Sequence, residues 1–258
     1  FGSSHFVSSE VLKSYQELLP LPPRSMDSQA AQLPTKIKLL YFDLPGKAEA
    51  LRLALNHASI EFEDVRLTRE EFMEKKTSGE LAFGQVPALV VEVGGKTTTL
   101  VQSAAIVRYI GQLGSCGLYP NDFVKAAQVD ALVDQATDMM CPVLCAKYQD
   151  RFGYDQALGG MEGEGTKLVE SALQTTIMPR HFAFFENVLA ASSTGWVADT
   201  SEPSTADFVL GPQFKQLASN EMIKGAELIT KYPKILAFVK KFYALPSVKA
   251  WNDKMESA

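Results

Sequence analysis

The chain has 258 residues, a length closer to two domains than to one at about 150 residues per domain. Hydrophobic residues make up 46% and charged residues 21%, which is typical of a soluble globular protein and argues against disorder. With 25 basic and 30 acidic residues the net charge is −5, which argues against a general nucleic-acid-binding protein. No apolar run approaches the roughly 18 residues that a membrane span needs.

The cysteines indicate a reducing compartment. Cys116, Cys141 and Cys145 cannot all pair, and three are too few for a disulfide scaffold. We therefore expect a cytoplasmic protein, or alternatively an organellar protein whose targeting segment has been removed. Cys141 and Cys145 are four residues apart on one predicted helix face, but a metal site needs further ligands. We expect no metal and interpret both as buried helical cysteines.

Residues 1–35 are predicted to form an extension outside the first domain. This segment is rich in proline and serine, and its one short amphipathic run, residues 11–19, is followed by Pro22 and Pro23. Because the sequence opens with Phe1 and not Met, three interpretations stay open: a cloning remnant or disordered tail, a processed targeting segment, or a docking segment for a larger assembly. Met26 is a further candidate for a native start.

Residues 36–112 are predicted to form an α/β domain. Apolar runs, turn signals and helical spacing give the order β-α-β-α-β-β-α. The predicted strands are residues 37–42, 60–63, 88–93 and 97–100, and the predicted helices follow Gly46, span 69–76 and start at an N-cap at Ser103.

Residues 121–258 are predicted to be all helical, after a hinge at residues 112–120. Asp122 caps a long apolar repeat that continues to Leu144. A glycine-rich loop at residues 157–165 precedes a helical pattern over 168–189 that Pro179 kinks or breaks. Residues 204–207 match a capping box with Asp207 in place of Glu, so we expect Asp207 to support the fold. We expect the nearby aromatic side chains to lie in the core, namely Phe182, Phe184 and Phe185.

The element order, with Pro87 just before the third strand, describes a thioredoxin-like α/β domain followed by an all-α domain. A Cys-x-x-Cys pair is missing from the first strand–helix turn, where Tyr41 to Glu49 stand instead. Dithiol redox chemistry at that turn is therefore excluded.

Several short motifs then occur in a fixed order along the chain. They are residues 40–42, 45–49, Arg52, 83–89, 102–109, 129–134 and 205–208. With these motifs the sequence resembles the cytosolic glutathione transferases, most closely the sigma class, over about residues 36–255. The resemblance implies an enzyme of two domains that acts as a homodimer and uses glutathione as co-substrate.

The resemblance also implies that Tyr41 is catalytic. A thiol with a pKa of about 8.5 is only a few per cent thiolate at pH 7. Lowering that pKa by about two units requires roughly 2.7 kcal/mol. One hydrogen bond to a charged acceptor supplies about 1.5–3 kcal/mol. A Tyr41 hydroxyl that donates to the glutathione sulfur therefore accounts for most of the activation.

Further residues are implied to bind glutathione. Pro87 would be cis and would turn the backbone of Val86 toward the ligand, while Ser103 would meet the γ-glutamyl carboxylate at a helix N-terminus. Lys75 and Lys76 are alternatives for the glycyl carboxylate, and Asp138 would reach across a dimer to the glutathione amine. The full set is Phe42, Lys47, Phe72, Lys76, Gln85, Val86, Pro87, Gln102, Ser103 and Asp138.

Three positions depart from the usual pattern of that family. Lys47 stands in place of Arg, Phe72 in place of Trp and Gln85 in place of Lys. We therefore predict conjugation of glutathione to a small hydrophobic electrophile, in a detoxification role, with a pocket lined by Met140, Leu144 and Tyr148. Two alternatives remain: a non-enzymatic structural or assembly subunit on this fold, and a glutathione-dependent prostaglandin-type isomerase.

Overall fold

The structure is a computed structural model that describes residues 33–114, 116–219 and 226–256. The interpretations of the extension therefore lie outside the described residues, apart from residues 33–35. None of the helices within those ranges is long and apolar enough to cross a membrane.

A four-stranded sheet forms the α/β half of the chain. Its strands are β1 (Lys36–Phe42), β2 (Glu63–Leu67), β3 (Ala88–Val93) and β4 (Lys96–Val101), in the order β2-β1-β3-β4. β2 is parallel to β1, and β3 is antiparallel to both β1 and β4. Along β1 the side chains alternate between two buried clusters, since Leu39 and Tyr41 face the main core while Leu40 faces a smaller one.

The second strand starts later than the sequence predicted. Pairing with β1 begins at Glu63, opposite Lys38, so most of the expected strand at 60–63 is loop. Its apolar alternation has a different cause, because Ile60 and Phe62 pack against the core and the Phe62 ring lies 6.2 Å from that of Trp251. The rest of the predicted element order is confirmed.

Eleven α-helices occur within the described ranges, with short 3₁₀ turns at Gly46–Ala48 and Ala226–Lys231. They are α1 (Glu49–His57), α2 (Arg69–Thr77), α3 (Ser103–Leu113), α4 (Phe123–Lys147), α5 (Gln149–Phe152), α6 (Asp155–Leu158), α7 (Glu164–Ala172), α8 (Met178–Ala191), α9 (Thr205–Ala218), α10 (Pro233–Tyr243) and α11 (Pro246–Glu256). One buried cluster runs through both halves of the chain, from Ile37 on β1 to Trp251 on α11.

The long helix α4 joins the two halves. Asp122 caps its first turn as predicted, because its carboxylate accepts the Lys125 N–H at 2.8 Å. Near the same end, Arg108 on α3 donates to the carboxylates of Asp130 and Asp134 at 2.5 and 2.6 Å. The start of α3 differs from the prediction by one residue, since Gln102 is the N-cap and Ser103 is the first helical residue.

The chain between residues 157 and 191 contains more helix than predicted. The glycine-rich loop is shorter than expected, because α7 already begins at Glu164. A π-helical turn, Leu173–Ile177, then separates α7 from α8. The irregularity predicted at Pro179 is this π-helical turn, while the backbone stays right-handed helical through Ile177 and Met178, with Pro179 in the first turn of α8.

The Asp207 side chain is fully buried at the start of α9. Its carboxylate accepts the Ser204 N–H at 2.7 Å, the Ser204 hydroxyl at 2.8 Å and the Val197 N–H at 2.9 Å. Burial raises the pKa of Asp207, and these hydrogen bonds oppose that effect. The capping box is thus present, and it ties the loop before α9 to the helix.

Two burial predictions are wrong. Cys141 is exposed and Cys145 is only half-buried, because Met140, Val143 and Ala146 occupy the core face of α4. Phe184 is also exposed, whereas Phe182 and Phe185 are buried on the other face of α8.

Candidate active site

Tyr41 lies at the end of β1 with only 9% of its surface exposed. The Lys47 backbone N–H donates a hydrogen bond to its hydroxyl oxygen at 3.2 Å. Burial raises the pKa of Tyr41 above its ordinary value, although the hydrogen bond from Lys47 opposes that shift. The phenol therefore stays protonated at neutral pH, so its O–H is available as a donor to an anion.

Gly46 leaves the space that the Tyr41 hydroxyl occupies. Its φ is +42°, in the left-handed region that disfavours residues with a side chain. A Cβ built at Gly46 would lie 2.5 Å from the Tyr41 hydroxyl and 2.8 Å from the Leu44 side chain. The sequence marked Gly46 only as the residue ahead of the first helix and as part of a family motif, and its close approach to the Tyr41 hydroxyl is visible only in the structure.

Arg52 holds the loop that follows Tyr41. Its side chain is fully buried, and its guanidinium donates to the Asp64 carboxylate at 3.0 Å and to the Leu44 carbonyl at 2.9 Å. A longer hydrogen bond of 3.4 Å reaches Glu49, whose other carboxylate oxygen accepts the Trp251 indole N–H at 2.9 Å. Arg52 thus links the loop after β1 to α11, a role that its helical spacing did not reveal.

The segments around Val86 and Gln102 have unusual backbones. The Val86–Pro87 peptide is cis, as the resemblance implied. Gln102 has a φ of +71°, which is uncommon for a residue with a side chain, and it directly precedes the first turn of α3. The free N–H groups of that turn, beginning at Ser103, suit an anionic group.

A cavity lies between the α/β half and the helical half. Three predicted glutathione-binding residues line it, namely Lys47, Gln102 and Ser103. Met140 and Leu144 on α4 line its opposite wall, as predicted, whereas Tyr148 is exposed and is not among the lining residues. Other wall residues are Gly46, Ala50, Ala104, Val133, Thr137, Val209, Pro212, Gln213 and Gln216.

Phe42 and Phe72 are in contact. Their ring centroids are 5.1 Å apart in an edge-on arrangement, and both side chains pack into the buried clusters beside Val86. Neither ring lines the cavity. Gln85 is half-buried in the loop before the cis peptide.

The structure distinguishes the two candidate lysines of α2. The Lys75 ammonium pairs with the Glu80 carboxylate at 2.9 Å. The side chain of Lys76 instead lies over Gly84, where a Cβ would be only 3.2 Å from the lysine chain. Lys76 is therefore the one beside the Gln85–Val86 segment.

Asp138 does not reach the cavity within this chain. It is exposed on α4, one residue after the cavity residue Thr137. Burial and the Arg180 charge lower the pKa of His181, and the nearby Asp138 carboxylate opposes that shift. Successive helical residues point about 100° apart, so Thr137 faces the cavity while Asp138 does not. Its predicted reach into a partner's site stays a prediction.

Arg151 was missed by the sequence analysis. Its guanidinium on α5 interacts electrostatically with Tyr41 and lowers the pKa of that phenol, against the larger effect of burial. Burial, followed by the Arg151 charge, also lowers the pKa of Lys47. Arg52 on α1 also lowers the pKa of Tyr41 and acts more strongly than Arg151, so arginines from both halves of the chain influence the phenol.

A second, wider groove of about 1130 Å³ lies on the other side of the loop after β1, lined by Asp43, Glu49, Phe62, Arg66, Trp251 and Lys254 among others. None of the predicted glutathione-binding residues lines it. Among the residues that the structure describes, no group of three or more His, Cys, Asp and Glu side chains could hold a metal ion.

A thioredoxin-like domain joined to a helical domain, with a cavity between them, defines the class of protein. The family model "Glutathione S-transferase, N-terminal domain" matches residues 37–112, and "Glutathione S-transferase, C-terminal domain" matches residues 154–255. The chain belongs to the glutathione S-transferase family. The predicted family, fold class and enzyme class are therefore confirmed.

Individual relatives agree with this assignment. Glutathione S-transferase 1 of Ascaris suum is 34% identical over 218 residues, which cover 83% of this chain and 94% of the relative. Hematopoietic prostaglandin D synthase of Homo sapiens is 28% identical over 215 residues, covering 83% and 94%. The solved structure of prostaglandin synthase D of Nilaparvata lugens is 26% identical, with a TM-score of 0.68, and covers 85% of this chain and 98% of that one.

Proposed function

We propose that this enzyme activates the glutathione thiol through Tyr41 and joins it to a hydrophobic electrophile. The observation that carries this proposal is the placement of the Tyr41 hydroxyl, which is protonated and hydrogen-bonded to the N–H of the cavity residue Lys47. A thiolate next to this hydroxyl would accept a hydrogen bond that the neutral thiol cannot accept as strongly.

The proposed domains divide the substrates between them. Residues 36–112 would bind glutathione, with the backbone of Val86 opposite its cysteinyl unit and the first turn of α3 at its γ-glutamyl carboxylate. Lys76 would pair with the glycyl carboxylate, which its position over Gly84 supports. Residues 121–258 would supply the electrophile wall, for which the apolar side chains of Met140 and Leu144 are suited.

The test compares Tyr41→Phe with the wild type in conjugation of a chromogenic aromatic electrophile. Loss of a hydrogen bond worth about 1.5–3 kcal/mol predicts a fall in kcat/KM of about 10- to 150-fold at pH 7. The acid limb of the pH profile should also move to higher pH, toward the free-thiol value of about 8.5. Tyr154→Phe, at an exposed tyrosine that does not line the cavity, is the matched control and should leave the limb in place. An unchanged limb in Tyr41→Phe would overturn the proposed role of Tyr41.

We further propose sigma-class membership, a homodimer and a cytoplasmic detoxification role. The similarity to hematopoietic prostaglandin D synthase supports the class. Sedimentation of the purified protein tests the dimer, and cell fractionation tests the location. Failure of the wild type both to bind a glutathione resin and to turn over an electrophile would favour the structural-subunit alternative.

A prostaglandin-type isomerase is a second candidate function. It is favoured by two relatives whose names carry that activity, one from Homo sapiens and one from Nilaparvata lugens. Incubation with a prostaglandin endoperoxide and glutathione should give an isomerised product faster than the uncatalysed reaction. Equal rates with and without the enzyme would exclude this function.

A further inference from the structure

Two thiols on α4 take no part in the proposed function. Cys141 and Cys145 are one helical turn apart, and burial, followed by the neighbouring Cys141, raises the pKa of the Cys145 thiol. Cys141 is exposed and Cys145 is half-buried, and neither forms a disulfide. They form a pair of accessible, adjacent sulfur nucleophiles, which we call the α4 thiol pair.

The helix spacing favours a one-atom bridge over a disulfide for the α4 thiol pair. Cβ atoms four residues apart on a helix are separated by about 5–6 Å, whereas a disulfide requires about 3.5–4.5 Å. A single atom bonded to both sulfurs at about 2.3 Å holds them farther apart than a direct S–S bond of about 2.05 Å. Two thiols one turn apart on a helix are therefore bridged more easily by one atom than by a direct S–S bond.

The number of protein ligands at the α4 thiol pair limits which kind of atom can bridge the two sulfurs. Among the described residues no third or fourth metal-ligating side chain joins the pair, so a tetrahedral zinc site lacks ligands. A trivalent arsenic that carries one organic group needs only two sulfur bonds, and thiolates are soft ligands that suit such a centre. The neighbouring stripe of α4, with Met140 and Leu144, offers an apolar wall for the organic group.

We propose that Cys141 and Cys145 form a chelating site for monosubstituted trivalent arsenicals. Two As–S bonds replace the bonds from arsenic to its oxygen, and that oxygen leaves as water with the two thiol protons. Arsenic stays trivalent, so no oxidant or reductant is needed.

Phenylarsine oxide is the probe that tests this site. The full-length protein is incubated with it, then with a large excess of glutathione, and its intact mass is measured. A single-sulfur adduct exchanges with a monothiol, whereas a chelate is released only by a dithiol such as dithiothreitol. We expect one glutathione-resistant phenylarsenic group per chain in the wild type.

Serine variants assign the sulfurs, since the chain has three cysteines in all. Cys141→Ser and Cys145→Ser should each lose the glutathione-resistant adduct, while Cys116→Ser should retain it. Tyr41→Phe should also retain it, so this site and the proposed thiol activation are tested separately. A wild type without the resistant adduct, or an adduct that survives in Cys141→Ser or Cys145→Ser, would overturn the proposal.

Discussion

The Tyr41 hydroxyl occupies the space left by the missing side chain of Gly46. The variant Gly46→Ala fills that space and so tests how much the position of the hydroxyl matters. Alanine at a φ of +42° costs about 1–2 kcal/mol from the backbone. Its Cβ would also lie 2.5 Å from the hydroxyl and 2.8 Å from an edge carbon of the same ring. Such overpacking typically costs about 1–3 kcal/mol. The expected loss in the free energy of unfolding is therefore about 2–5 kcal/mol.

The matched control for this variant is Gly95→Ala in the β3–β4 turn. Gly95 has a φ of +76°, but a Cβ there meets nothing within 4 Å. This control should therefore cost about 1–2 kcal/mol in urea denaturation and leave conjugation activity unchanged. Gly46→Ala should lose more stability and should lower kcat/KM by about 10- to 150-fold, the worth of the Tyr41 hydrogen bond.

A double mutant separates steric displacement from general damage. In Tyr41→Phe the atom closest to the new Cβ is absent, so adding Gly46→Ala should cost less stability than it costs the wild type. Its effect on kcat/KM should be nearly absent in that background. The reasoning is refuted if Gly46→Ala is no worse than Gly95→Ala, or if its effects are the same with and without the hydroxyl.

Three further predictions concern charged side chains. Arg52→Met should cost about 3–5 kcal/mol of unfolding free energy, because it leaves a partly buried carboxylate without its buried partner. Arg66→Met, which removes a more exposed arginine from the same carboxylate, should cost less than about 1 kcal/mol. Lys76→Ala should raise the KM for glutathione up to about fivefold, the effect of an exposed ion pair, whereas Lys75→Ala should not. Hydrogen bonds from residues 192–194 lower the pKa of Asp199 to about 2. The stability that Asp199 contributes is therefore present above the unfolded pKa and is lost as pH falls from about 4 toward 2. Asp199→Asn should reduce this acid dependence of the urea midpoint.

Each of these predictions has an outcome that contradicts it. Equal losses of stability in the two arginine variants would show that burial of Arg52 does not decide its effect. A larger KM change in Lys75→Ala than in Lys76→Ala would reverse the assignment of the glycyl contact. A wild-type and Asp199→Asn pair whose difference in midpoint is constant from pH 5 to pH 2 would contradict the lowered pKa.

Local signals in the sequence predicted the elements that depend on near neighbours. The β3–β4 pair followed from two strand-like runs separated by a turn signal, the cap of α4 from Asp122 and the capping box at α9 from Asp207, because each signal acts within a few residues. The second strand was misplaced because Phe62 packs near Trp251, a residue distant in sequence, and does not belong to a strand. Periodicity reports burial and cannot tell a strand residue from a loop residue that packs on a remote helix.

The candidate site was predictable only in its residue types. Tyr41 and Pro87 were found through a family resemblance, but the contacts that position Tyr41 join residues by tertiary packing. Arg52 looked like one more residue on a helical face, and only its full burial shows that it holds the loop. Arg151 lies more than a hundred residues from Tyr41, so no sequence pattern relates the arginine to the phenol.

On the proposed mechanism, Arg52 and Arg151 offset part of the effect that burial has on the Tyr41 phenol. A phenol whose pKa is raised is a weaker acid and hence a less effective donor to a thiolate than an unperturbed one. The required stabilisation of about 2.7 kcal/mol lies near the top of the range for one hydrogen bond to a charged group. The hydrogen bond from the Lys47 N–H and the charges of Arg52 and Arg151 lower the pKa of the phenol and would supply the remainder. Because Arg151 comes from the helical half, both halves of the chain would then contribute to activation of the thiol.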